Sequence, residues 1–464
     1  MLDQQPICAI STPSGTGGIA VIRISGDDVF NLAGKIFQPK NNEITLGRKT
    51  NTVVFGTIYD EDKEIDEVLV AVFKKPYTYT GDDTVEISCH GSRYIQQQII
   101  QLLLKHGCRL ALPGEFTQRA FLNGKIDLSQ AEAVADLIAA TSATSHRLAM
   151  NQMRGGFSNE LKKLRDQLLD FVSLIELELD FSEEDVEFAD RENLKNLISE
   201  IKKAIAKLVT SFDVGNVMKT GIPVAIVGET NAGKSTLLNF LLNEEKAIVS
   251  DIHGTTRDTI EDIVVIQGIT FRFIDTAGLR ETTDKIESLG IERTLQKIEQ
   301  ASIVIWMIDA TQISEKIDLI AEKIIPRTTG KKLIIVFNKI DKINEEEQTL
   351  LKEEFLPHVN ALHLNLSVKY KENTKELEDA LLQAANIPEI GENDILVTNL
   401  RHYEALSHAH TAIERVEDGL ENNLSGDFLS QDIRECMHFL GEITGQISND
   451  EILGNIFGKF CIGK

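Results

Sequence analysis

The chain has 464 residues, 42% of them hydrophobic and 26% charged, about three times a typical domain length, so two or three separate cores are expected. Its 48 Lys and Arg stand against 72 Asp and Glu, a net charge of -24, which repels polyphosphate and requires any nucleic acid to be held by a local basic patch or by a partner protein. No run reaches the roughly 18 apolar residues of a membrane helix, and "MLDQQPICAI" at the N-terminus is not a basic region followed by an apolar one, so an unexported, cytoplasmic protein without a membrane segment is expected.

Residues 1–118 alternate β-branched runs, "IAVIRIS", "NTVVFGTIY", "DEVLVAVF" and "DTVEISC", with one helical stretch, "RYIQQQIIQLLLKHG", ended by Gly107; this reads as a small α+β domain. Residues 119–216 read as helical. In "SQAEAVADLIAATS", Ser129 and Glu132 have capping-box spacing and predict a helix start. Phe157, Leu161, Leu164, Leu168, Phe171 and Ile175 recur at steps of four and three, placing one apolar face on a long helix. The acidic stretch "FSEEDVEFADREN" reads as a solvated connection. Residues 217–384 alternate strand-like runs ("VAIVG", "FRFIDTAG", "IVIWMIDA", "KLIIVFNKID") with polar helical stretches, the pattern of a parallel sheet with crossover helices. Residues 385–464 turn helical again, so the α/β block reads as an insertion into one discontinuous helical domain.

"GETNAGKS", Gly228 to Ser235, follows an apolar run and precedes a helical one, the context in which this spacing is a phosphate-binding loop. Glycines let backbone amides face a phosphate, and the helix N-terminus adds partial positive charge. Lys234 would reach the β- and γ-phosphates and Ser235 would ligate Mg²⁺. "DTAG", Asp275 to Gly278, ends a strand: Asp275 can hold Mg²⁺ through water, and the Gly278 amide can meet a γ-phosphate. "NKID", Asn338 to Asp341, ends another. An Asp there accepts two hydrogen bonds from an edge that guanine has and adenine lacks, so GTP is the expected nucleotide. "SVK", Ser367 to Lys369, matches a final base-side motif, with Val368 where Ala is usual. "SDIHGTTRD", Ser250 to Asp258, sits where the first switch belongs, with Thr255 and Thr256 both candidates to complete the Mg²⁺ shell.

Ras-type GTPases place a water-orienting Gln after the switch II glycine, but here the residue is Leu279, which cannot orient water. Glu281, Asp284, Glu287 and Glu292 are the nearby carboxylates. The positive charge of an arginine finger, typically worth about 10³ to 10⁵ in rate, also needs a source.

Taken together, "GGIAVIRISG", "YTGDDTVEISCHG", "LPGEFTQRAFLNGKIDLSQAEAVADLI", "NAGKSTLLN", "DIHGTTRD", "DTAGLR", "GEITG" and the tail "FCIGK" resemble the tRNA-modifying GTPase family MnmE, also called TrmE, from end to end. Thr230 and Ser250 replace the usual Pro and Thr without removing a needed atom type. The resemblance implies a multidomain α/β plus α architecture: an N-terminal α+β domain that binds folate and dimerises, a discontinuous helical domain, and an inserted P-loop, Ras-like α/β GTPase domain. It carries the nucleotide site over to Asn231, Ala232, Gly233, Lys234, Ser235 and Thr236, to Ser250, Asp251, Ile252, His253, Gly254, Thr255 and Thr256, to Asp275, Thr276, Ala277 and Gly278, and to Asn338, Lys339, Asp341 and Ser367. Mg²⁺ is implied at Ser235 and Thr256. A K⁺ ion is implied at Asn231, Ser250, Ile252 and Thr255, where its charge does the work of an arginine finger as GTPase domains pair across a homodimer. Glu287 is implied as the residue that orients the attacking water, acting with Asn231 and Lys234. The implied product is tRNA with a (carboxymethyl)aminomethyl group at C5 of the wobble uridine, made in a heterotetramer with the FAD- and NADH-dependent protein MnmG. A 5-formyl- or methylene-tetrahydrofolate is implied at Arg23, Glu86, Lys125 and Lys464. The alternative from another class is a regulatory or ribosome-associated GTPase without modification chemistry.

Five cysteines, Cys8, Cys89, Cys108, Cys436 and Cys461, lie far apart without a CxxC pair, arguing against a disulfide framework or zinc site. "CIGK" fails as a prenylation box, because Gly463 is not aliphatic and Lys464 is not an accepted final residue. The apolar "IFGKFCI" suggests that the tail docks. The resemblance brings it to the folate site, making Cys461 a thiol near the one-carbon chemistry, whether as nucleophile or packed neighbour.

Overall fold

A computed structural model of the chain describes residues 5–180, 191–244, 261–274, 296–313, 315–354, 360–387, 391, 394–447 and 450–464. They group into two units: Met1–Ile138, Gln152–Lys203 and Ala405–Lys464 in the first, Ala139–Asn151 and Ala204–Glu404 in the second.

In the first unit the β-branched runs form a sheet. Its strands are β1 Ile7–Ile10, β2 Gly17–Ser25, β3 Phe37–Pro39, β4 Thr52–Asp60, β5 Lys63–Phe73, β6 Thr84–Gly91 and β7 Arg109–Leu110, in the order β3-β4-β5-β6-β2-β1-β7. All neighbours are antiparallel except β1 and β7. Helices α1 Val29–Gly34 and α2 Arg93–Lys105 cover one face, where Ile22, Ile24, Val70 and Ile87 meet Val29, Leu32, Ile99 and Leu103. Alternation sends the neighbouring side chains to the other face. There one row runs Phe55, Leu69, Ser88, Val21 and the next runs Val53, Ala71, Glu86, Arg23. Val53, Phe55 and Leu69 are exposed.

Helices α3 Glu115–Leu122 and α4 Leu128–Ala139 follow; most of α5 Ala143–Met153 groups with the second unit, and α6 Gly156–Asp180 with the first. The start of α4 departs from the Ser129–Glu132 expectation. The box is made two residues earlier, where Asp127 Oδ1 accepts from the Gln130 amide and Gln130 Oε1 accepts from the Asp127 amide, both at 2.9 Å. Ser129 is buried, with its hydroxyl on Ser158 at 2.8 Å. On α6 all six expected apolar residues, from Phe157 to Ile175, are buried. Their helix packs against the helix Gly426–Thr444, which buries Leu429, Ile433, Met437 and Leu440. The helix Asp450–Phe457 packs on α3, and Leu453, Phe457 and Phe460 cluster with Leu128 and Ala131.

After α7 Arg191–Thr220, the second unit carries strands β8 Ile222–Gly228, β9 Asp262–Ile266, β10 Ile269–Phe273, β11 Ile303–Asp309, β12 Lys332–Asn338 and β13 Ala361–Leu366. The order is β13-β12-β11-β8-β10-β9. Every pair is parallel except the β9–β10 hairpin at one edge. Helix α8 Lys234–Glu244 and the helix Thr374–Ala385 cover one face through Leu237, Leu241, Leu377 and Leu381. The helix Glu315–Ile324 covers the other through Ile317, Ala321 and Ile324, against Val304, Trp306, Ile335 and Phe337. Burial on both faces explains why these strands read as unbroken apolar runs. Gly228, Asp309, Asn338 and Leu366 end four adjacent parallel strands, the rim at which open α/β sheets bind ligands. No described helix is long and apolar enough to cross a membrane.

Candidate functional site

Between β8 and α8 the loop needs backbone that L side chains avoid: Gly228, Asn231 and Gly233 have φ of 146, 67 and 106°. A Cβ on Gly233 would lie 2.2 Å from Asn338 Nδ2, so the sequence places glycine where the loop is pressed against the end of β12. Asn338 is the brace: Nδ2 donates to the Ala232 carbonyl at 2.8 Å, and Oδ1 accepts from the Val368 amide at 3.2 Å. It therefore ties the phosphate loop to the segment after β13. Asp341 is held there too, its Oδ1 accepting from the Ser367 hydroxyl at 2.7 Å. The phosphate loop and two motifs lying 106 residues or more beyond Ala232, themselves joined by contacts spanning 26 and 30 residues, thus converge on one rim.

Lys234 opens α8, and its ammonium lies over the loop, donating to the carbonyls of Gly228 at 2.8 Å and Glu229 at 2.6 Å. Burial, with Lys297 nearby, holds its pKa below the usual lysine value. Ser235 and Thr236 occupy the first turn of α8. Positive-φ backbone, a helix N-terminus and one partly buried cation fit a nucleotide polyphosphate, and the Ser235 hydroxyl is of the type that ligates Mg²⁺. Lys339, at φ 68°, extends its ammonium to Asp309 Oδ2 at 2.5 Å. Asp309 ends β11 and also accepts from the Thr311 amide at 3.0 Å and hydroxyl at 2.7 Å. Burial pushes its pKa up, but the Lys339 and Thr311 bonds outweigh that and leave it lowered. Asp309 was not a candidate from sequence, where it is only an acid closing "IVIWMIDA"; its register opposite Asn338 is the missing signal. Ser250, Asp251, Ile252, His253, Gly254, Thr255, Thr256, Asp275, Thr276, Ala277, Gly278, Glu281, Asp284, Glu287 and Glu292 lie outside the described residues.

The first unit gathers a second constellation. Arg23 and Glu86 are cross-strand partners on β2 and β6, joined from Nε to Oε1 at 2.8 Å. The guanidinium lies 5.8 Å from the Tyr79 ring centroid and 5.6 Å from that of Phe116. The C-terminal tail reaches this pair: the Gly463 carbonyl accepts from Arg23 Nη1 at 3.4 Å and from the Ser11 hydroxyl at 3.3 Å. Gly463 has φ 96°, and a Cβ there would sit 2.5 Å from the Ile10 carbonyl. Farther back, the Gly114 amide donates to the Cys461 carbonyl at 3.5 Å. The tail docks through buried Phe457 and Phe460 and through backbone, while Cys461 and Ile462 are exposed. Lys464 is half-buried beside Gly463. Lys125 is exposed and donates to the Pro76 carbonyl at 2.8 Å, which ties it to the loop that carries Tyr79 rather than to the Arg23–Glu86 pair. Among the described residues, no cluster of three or more His, Cys, Asp or Glu is arranged to hold a metal.

The family model described as "GTP-binding protein TrmE N-terminus" matches residues 6–125, and "MnmE helical domain" matches residues 128–461. The tRNA modification GTPase MnmE of Bacteroides fragilis strain YCH46 is 59% identical over 466 residues, covering 100% of both chains. That of Bacteroides thetaiotaomicron is 60% identical over 467 residues, again covering 100% of both. Among solved structures, Era in complex with MgGDPNP and nucleotides 1506–1542 of 16S ribosomal RNA is 29% identical, covering 41% of this chain and 66% of that one with a TM-score of 0.28, too low to bear on the fold.

Proposed function

This chain belongs to the MnmE family of tRNA modification GTPases, and from that premise we propose that it works with the FAD- and NADH-dependent protein MnmG to add a (carboxymethyl)aminomethyl group at C5 of the wobble uridine of tRNA. A folate one-carbon unit, as 5-formyl- or methylene-tetrahydrofolate, is taken up in the first unit. The observation that carries this reading is the docking of the C-terminal tail on the Arg23–Glu86 pair, in the same chain as the phosphate loop. An Arg or Lys suits the anionic glutamate tail of a folate and a carboxylate suits its pterin donor edge, so Arg23, Glu86 and Lys464 form the ligand-facing set, with Lys125 at the neighbouring loop.

In the second unit, Lys234 neutralises the β- and γ-phosphates, while Asp341 accepts from the guanine edge. Asn338 keeps both loops in register. Glu287 orients the attacking water. When bound, Mg²⁺ at Ser235 and Thr256 and K⁺ at Asn231, Ser250, Ile252 and Thr255 supply positive charge as the γ-phosphate departs. The exposed Val53, Phe55 and Leu69 on the open face of the first sheet favour a homodimer formed through that face, which is completed to a heterotetramer by MnmG in the cytoplasm.

Reconstitution tests the proposal: protein, MnmG with FAD and NADH, tRNA, GTP, Mg²⁺, K⁺, folate and glycine as the amine that supplies the carboxymethylamino part are combined, and C5-substituted uridine is measured as each component is left out. Product is expected only in the complete mixture, and Na⁺ in place of K⁺ should slow hydrolysis strongly. Undiminished product without GTP or folate would overturn it.

A further inference from the structure

Asp309 lies outside the motifs that define the nucleotide site, yet its carboxylate is committed there. One oxygen accepts twice from Thr311 and the other accepts from Lys339 at 2.5 Å. The carboxylate side chain is 8% exposed, against 28% for that of Lys339. Its place is set by backbone. Asp309 pairs with Asn338 in the β11–β12 ladder, and the Ala310 amide donates to the Asn338 carbonyl at 2.9 Å. Donors from Thr311 fill one side of the carboxylate and leave the other to the ammonium.

Two residues beyond Lys339, Asp341 carries the second carboxylate of this rim. Recognition of guanine requires that carboxylate as an acceptor for two base donors. A lysine ammonium so close in sequence is the natural competitor for it, because its stem is long and flexible and its charge is opposite. We propose that Asp309 is a positioning residue for guanine selection: by holding the Lys339 ammonium, it keeps that charge off Asp341 and leaves the Asp341 carboxylate to the base. The inference deepens the GTP reading of this site and rests on it.

Binding of fluorescent GDP and IDP to the full-length protein tests this, since IDP lacks the exocyclic amine that Asp341 would read. In Asp309→Asn, GDP affinity should fall about tenfold, because the released Lys339 ammonium would compete with the base for Asp341 and a factor of ten corresponds to about 1.4 kcal/mol of such competition, and the preference for GDP over IDP should shrink. Lys339→Met alone should weaken both nucleotides and keep their ratio. Adding Asp309→Asn to Lys339→Met should then leave the ratio unchanged, because no ammonium remains to be restrained. An unchanged ratio in Asp309→Asn, or an equal loss of ratio with and without Lys339, would overturn the proposal; the second result would mark Asp309 as a structural cap acting through Thr311. Should Asp309→Asn not fold, a collapsed GDP-to-IDP ratio in Lys339→Met overturns it instead. A wild-type protein without preference for GDP refutes the guanine reading itself, a result distinct from these.

Discussion

Replacing Asn338 by Ala removes the brace between the phosphate loop and the segment after β13. Asn338 is 4% exposed, and its two partners, the Ala232 carbonyl and the Val368 amide, belong to buried residues. Neither regains a partner from an alanine methyl. A buried group left without its hydrogen bond costs about 1–3 kcal/mol, so the pair should cost about 2–6 kcal/mol, a large share of the roughly 5–15 kcal/mol that stabilises a domain. The chain offers a specific probe: its one tryptophan, Trp306, lies in β11 of the same sheet and is 1% exposed. Urea unfolding followed by tryptophan fluorescence therefore reports on this unit. With a slope of about 2 kcal/mol per M, the midpoint should drop by roughly 1–3 M, and GTP affinity should fall with it as the loops lose register. A midpoint shift worth less than about 0.5 kcal/mol, the scatter of ordinary surface substitutions, together with unchanged GTP affinity would refute the bracing role.

Gly463→Ala should release the tail, because its backbone has φ 96° and the added Cβ would meet the Ile10 carbonyl at 2.5 Å; faster proteolytic trimming of the C-terminus and weaker folate binding are the readouts, and an equally protected tail would contradict the docking. If the proposed dimer forms through the open face of the first sheet, Leu69→Lys on that face should shift it to monomer in sedimentation without altering the thermal midpoint of the monomeric fold. Glu115 is fully buried; burial pushes its pKa up, but the Arg109 bonds, the Leu112 amide and Arg119 outweigh this and hold it below the ordinary value of 4.5. A depressed folded pKa means that Glu115 stabilises above the ordinary glutamate range and that this contribution is lost as pH falls through the lower folded value. Glu115→Gln should lower stability at pH 7 by about 3 kcal/mol and flatten the acid limb below pH 4.5 in urea titrations read by circular dichroism.

Strands and helices with a strong period were readable: the four β-branched runs became β2, β4, β5 and β6, and the six-residue stripe of α6 is buried throughout. The start of α4 was misplaced because "DLSQAE" contains two overlapping boxes of equal spacing. Burial of Ser129 against Ser158 decides for Asp127 and Gln130, and that contact is invisible to a local pattern. The phosphate loop was legible because its glycines answer a backbone requirement that is local. By contrast, Asp309 gains its role only from strand pairing with Asn338, 29 residues on, and the bond from Arg23 to Gly463 spans 440 residues. Long-range partners of this kind leave no periodicity to read.

The most direct measurement is nucleoside analysis of tRNA from a strain lacking this gene, complemented with the wild-type chain or with Lys234→Ala. The account predicts that C5-substituted wobble uridines disappear on deletion, return with the wild type, and stay absent with Lys234→Ala. Full modification in the deletion strain, or full restoration by Lys234→Ala, would contradict the coupling of GTP hydrolysis to tRNA modification.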